Sequence, residues 1–121
     1  MRFAVWVLFA GLMVTGCAWF GHQKPATTPP VQAGSTSSVS AGASTREHYH
    51  PKAEEIYYIT AGLGRIRIEG ETRDVKPGDA IAIPPGRKHK LWNTGPDTLK
   101  LLCCCAPAYE HSDTIITETG G

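Results

Sequence analysis

From Thr45 onward the chain offers no convincing amphipathic helix, only short runs cut by turn signals. Apolar residues alternate, or β-branched residues cluster, over 45–50, 54–60, 64–69, 71–75, 79–83, 88–93, 98–106 and 113–118. Between them stand Ala61-Gly62, Glu69-Gly70, Lys76-Pro77-Gly78-Asp79, Pro84-Pro85-Gly86 and Asn93-Thr94-Gly95-Pro96. In a strand, successive side chains point to opposite faces. Many such runs separated by turns predict an all-β domain. Pro77-Gly78 and Pro85-Gly86 suit type II turns, in which Pro fixes φ and the following Gly supplies a positive φ. A folded part of about 75 residues lies near the lower limit for a self-sufficient core. A barrel closed on itself would help, and so would a homodimer.

The chain of 121 residues has room for one domain, and its first part does not belong to it. Arg2 gives a short positive start, and Phe3 to Val14 is an apolar run broken only by Gly11. That run is too short to span a bilayer, which takes about 20 residues, and fits the apolar region of an export signal. Val14-Thr15-Gly16-Cys17 follows and resembles the lipobox of bacterial lipoproteins, in which the thiol is lipidated and the chain is cut before it. An ordinary secretory signal or an N-terminal anchor is the alternative. The resemblance implies a signal over 1–16 and a lipidated Cys17. Ala18 rather than Asp at the next position implies the outer membrane, with the domain facing the periplasm. Residues 17–44 are rich in Pro, Thr, Ser, Gly and Ala and read as a flexible tether. The domain is then expected over 45–121. Charge adds little: 12 Lys and Arg face 11 Asp and Glu, and Arg2 lies in the signal. A near-neutral mature chain has no general pull on nucleic acid.

His48 and His50 flank Tyr49 and project from one strand face, so two imidazoles can point inward together. A glutamate, Glu54 or Glu55, opens the next run, and His89 comes from a later one. Three neutral imidazoles and a carboxylate suit Fe(II), Mn(II), Zn(II), Ni(II) or Cu(II). Four ligands in an octahedral site leave two positions open. Any one of these histidines alone would pass for a surface residue.

The spacing is more specific. Gly42 is followed after five residues by His48-x-His50, after four more by Glu55 and after six more by Gly62. Gly78 is followed after five by Pro84-x-Gly86, after two by His89 and after three by Asn93. These blocks, with 15 residues between them, resemble the paired signature motifs of the cupin superfamily, in its small single-domain form. The resemblance covers about Gly42 to Glu118 and implies a small antiparallel jelly-roll β-barrel. It also implies one divalent transition metal held by His48, His50, Glu55 and His89. Glu55 is preferred to Glu54 because it stands six residues before Gly62.

Alternation from Glu55 turns Tyr57 and Ile59 inward. Tyr57 is then a weak catalytic candidate, a hydrogen-bond donor near the metal, or simply a core tyrosine. Asn93 reads as a turn residue. Ile66 and Ile68 are natural core residues, which leaves Arg65 and Arg67 solvated. Arg87, Lys88 and Lys90 flank His89, either as a solvated turn or as an attraction for an anion. Cys103 and Cys105 share a face and are expected inside, with Cys104 the one open to oxidation; no CxxC redox motif occurs. Two classes of function fit. One is an enzyme acting on a small polar molecule through dioxygenase, isomerase or lyase chemistry. The other is a non-catalytic module that binds or senses a small molecule such as a sugar. A third option is an envelope protein in which metal stabilises the small core. Fold alone does not choose among them.

Overall fold

The computed structural model describes residues 34–119. The export signal, Cys17 and the tether up to residue 33 lie outside the described residues. Nine strands and one 3-10 turn follow: β1 (Ser35–Val39), β2 (His48–Tyr49), β3 (Glu54–Ala61), β4 (Gly64–Ile68), β5 (Glu71–Val75), β6 (Ala80–Ile83), β7 (His89–Asn93), β8 (Leu99–Ala106), the turn His111–Asp113 and β9 (Ile115–Ile116). Every strand pairing is antiparallel. They form two sheets, β1-β8-β3-β6 and β5-β4-β7-β2-β9, so the expected all-β architecture holds. No helix among the described residues is long and apolar enough to cross a membrane.

Alternation builds the core. Glu55, Tyr57 and Ile59 are the buried positions of β3, and Ile66 and Ile68 those of β4 beside Gly64. Ile81 and Ile83 come from β6, His89, Leu91 and Asn93 from β7, and Leu99 and Leu101 from β8. The two inner faces therefore meet in one apolar cluster, with Ile59, Ile83, Leu91 and Leu99 fully enclosed. Arg65 and Arg67 point outward as expected, where Arg65 pairs with Asp74 and Arg67 with Glu47. Lys90 pairs with Glu118.

Two boundaries are corrected. The expected tether over 17–44 is too long, because Ser35–Val39 is an edge strand in register with Leu99–Cys103. Its Ser and Thr residues look outward or sit at the edge, and only Val39 reaches the core. Backbone pairing with β8, invisible to composition, is what orders it. The run expected over 113–118 is shorter as well. Residues 111–113 form the 3-10 turn, and only Ile115–Ile116 pairs, against His48 and Tyr49. The turn glycines behave as the sequence predicts: Gly78 has φ +93° and Gly86 φ +77°.

Candidate metal centre

The first contact of the site is a strand pairing. β2 and β7 lie antiparallel with His48 opposite His89. His50 follows β2 at the same strand parity and is buried. The other sheet contributes the carboxylate: in β3 Glu54 is exposed and Glu55 is 5% exposed, so alternation turns only Glu55 inward. One ligand atom from each of His48, His50, Glu55 and His89 lies within 4.8 Å of all the others. Residues far apart in the chain thus converge between the two sheets, with His48 as the partly exposed member.

The outer nitrogens of the three imidazoles decide what the inner ones can do. Nδ1 of His48 lies 2.7 Å from the carbonyl of Arg46, Nδ1 of His50 3.1 Å from that of Asp113, and Nδ1 of His89 2.9 Å from that of Arg87. A carbonyl only accepts, so each Nδ1 carries the proton and each Nε2 presents a lone pair inward. Glu55 Oε2 is an acceptor too, and it lies 3.0 Å from His89 Nε2 and 3.2 Å from His50 Nε2. Acceptors so close require a positive charge between them, either a proton or a cation. His50 Nε2 is buried with no hydrogen-bond partner and meets Oε2 only as an ion-pair contact. Neutral imidazoles anchored through Nδ1 to backbone carbonyls, an orphaned buried Nε2 and an ionised carboxylate fit a divalent transition metal.

The local electrostatics agree with that donor set. Burial opposes the charge on Glu55, but His50, His89 and Cys103 beside it outweigh burial and hold the carboxyl well below the usual carboxylate range. The Glu55 carboxylate raises His50 above its ordinary value, against the cost of burial. Desolvation lowers His48.

Tyr57 is buried beside the centre, its ring centroid 5.9 Å from that of His89. Burial first, and then the Glu55 carboxylate, push its phenol well above its ordinary value, so it is a proton-bearing group. Asn93 is a structural residue. Its amide donates to the carbonyls of Val39 and Asp97, and its Oδ1 accepts the Gly95 N–H.

Two contributors were not foreseen from the sequence. Asp113, buried, accepts the backbone N–H groups of Lys52 and Ala53 on its carboxylate while its carbonyl holds His50. It therefore fixes the segment between His50 and Glu55. Cys103 and Cys105 lie inside as expected, but both thiols also reach Glu55 Oε1, at 3.1 and 3.9 Å. Burial raises both thiols, Cys105 to about 11. Neither contact has a local sequence signal, since the partners are 48 or more residues apart.

Comparison with known proteins agrees with this geometry. Residues 35–105 match the family model of the cupin domain. An uncharacterized protein of Methanocaldococcus jannaschii is 48% identical over 80 residues, which cover 66% of this chain and 64% of that protein. The match thus spans slightly under two thirds of that relative's length. A predicted oxalate decarboxylase of Thermotoga maritima is 29% identical, with a TM-score of 0.60 over 63% of this chain and 66% of that one. A Klebsiella pneumoniae protein described by its double-stranded β-helix domain superimposes with a TM-score of 0.63 over 86% of this chain and all of its own, at 18% identity, and so shares the fold. With the two sheets, the four converging ligand atoms and the family match together, the chain belongs to the cupin family.

Proposed function

We propose that this chain is a metal-dependent cupin of the bacterial cell envelope, which takes a small polar molecule at a centre formed by His48, His50, Glu55 and His89. One observation carries the reading: three Nε2 atoms and Glu55 Oε2 converge while all three Nδ1 atoms are tied to backbone carbonyls. When bound, a divalent ion there supplies Lewis-acid polarisation of a substrate oxygen or activation of dioxygen. The chain's own residues set the rest. Ile59, Ile83, Leu91 and Leu99 fill the barrel, so a ligand meets the centre from the side of the partly exposed His48. Tyr109 is exposed, with its ring centroid 6.3 Å from that of His50. Tyr57 keeps its proton, which it shares in a hydrogen bond with the Glu55 carboxylate, and so does not serve as a base. The likeness to a predicted oxalate decarboxylase supports a small oxygen-rich ligand.

Binding without conversion is the second reading. It is favoured because Tyr57, Cys103 and Cys105, which lie beside Glu55 and His89, all hold their protons and offer no base there. Metal analysis of the full chain, followed by a screen of small carboxylates and sugars, separates the two. Turnover supports the enzyme, whereas saturable binding without turnover supports the binder. His50→Ala removes a ligand outright and should weaken metal binding by more than the roughly 10- to 100-fold typical of losing an outer partner. Unchanged metal content in that variant would sink the metal reading.

A further inference from the structure

The two oxygens of Glu55 have different neighbours. Oε2 faces the histidines, 3.0 Å from His89 Nε2 and 3.2 Å from His50 Nε2. Oε1 is turned toward β8, where Cys103 Sγ donates to it at 3.1 Å and Cys105 Sγ at 3.9 Å. Register explains the placement. Glu55 stands directly opposite Cys105, and Tyr57 opposite Cys103, so both thiols and the carboxylate project from one sheet into the same interior. Cys105 and Glu55 are each buried, so Oε1 has no ready exchange of these donors for water.

We propose that Cys103, with Cys105 in support, is a positioning residue that holds Oε1 and makes Glu55 a one-oxygen ligand. The proposal rests on the metal reading of the site. A carboxylate can offer a metal one oxygen or both. Thiols that occupy Oε1 keep it from swinging toward the histidines, and the position it would fill stays available to a small molecule. Each thiol reaches the carboxylate as a donor through its S–H. Hydrogen bonds from outer groups to a metal ligand characteristically change metal affinity by about 10- to 100-fold when removed. A thiol is a weak donor, so the low end of that range is expected.

The test uses the full chain and cobalt(II). Cys103→Val removes the donor and stays apolar, while Cys103→Ser keeps a donor. Cys103→Val should bind cobalt about tenfold more weakly than the unaltered chain and alter the visible cobalt spectrum, which reports coordination number. Cys103→Ser should recover most of the affinity and the original spectrum, a rescue that mere packing would not give. Equal affinity and identical spectra for the unaltered chain and Cys103→Val would overturn the proposal. The infrared S–H stretch of the metal-free chain supplies a second measurement if the valine variant does not fold. A low-frequency band that disappears in Cys103→Ser and moves up in Glu55→Gln supports the thiol–carboxylate bond, and a band indifferent to Glu55→Gln refutes it. If the unaltered chain takes up no cobalt, the metal reading itself falls, and this proposal with it.

Discussion

Two side chains of the centre, Glu55 and His50, are pulled in opposite directions by one contact. Glu55 is depressed, so its contribution to stability is present above its ordinary value of 4.5 and is lost as pH falls toward the folded value. His50 is raised, so its contribution is complete below 6.5 and is lost as pH rises through the folded value. A metal ion must displace the His50 proton, and this makes uptake pH-dependent. Affinity for zinc or cobalt should therefore rise with pH above 6.5 and level once pH passes the raised folded value of His50, with a proton released below it. His48 is lowered by desolvation, so it sheds its proton at lower pH than His50 does. Calorimetry in buffers of different ionisation enthalpy measures the proton, and a flat profile without release would remove His50 from the ligand set. At this scale the sequence is unusually legible. The distance to Gly62 selects Glu55 over Glu54, and the structure buries Glu55 and exposes Glu54. Asp113 was not legible, because its role depends on backbone groups some 60 residues away.

Among the elements, the turn between β3 and β4 is the most tightly specified. Gly62 has φ +82°, and a Cβ there would stand 2.8 Å from both Leu99 Cα and Thr98 O. Backbone cannot move aside as a flexible side chain can. Gly62→Ala should cost about 2 kcal/mol or more, from a strained φ together with overpacking. Urea denaturation reads it as a lower midpoint, and an unchanged midpoint would mean that the turn adopts another conformation. Strand positions followed from alternation almost throughout: 54–60, 64–69 and 71–75 were expected, and Glu54–Ala61, Gly64–Ile68 and Glu71–Val75 are found. β1 was missed for a physical reason. An edge strand with one buried residue carries no period-two signature, and Ser-Thr-Ser-Ser is also what a tether looks like. A chain beginning after Val39 would lose a strand paired along β8, the strand that carries Cys103 and Cys105.

For the molecule as a whole, the all-β class could be read from the sequence, but the division into sheets could not. β1 joins β8, and β9 joins β2, across most of the chain's length, and no local pattern encodes such pairings. Attachment to the envelope belongs to this scale as well. If Cys17 carries acyl chains, each buried CH₂ contributes about 0.8 kcal/mol, and two or more chains give stable anchoring. Cys17→Ser should move the protein from the membrane fraction to the soluble fraction in cell fractionation; continued sedimentation with membranes would argue for an uncleaved anchor.

The placement of the ligands has a mechanical consequence. His48 and His89 belong to one wall of the barrel and Glu55 to the other. An ion held among them would be a clasp between two walls that share no strand. Glu55 is the second residue of β3, two alternate positions before Ile59, so such a clasp would lie near one rim while the apolar filling holds the walls deeper in. If those four side chains hold an ion, they join the two walls at that rim as well as binding it.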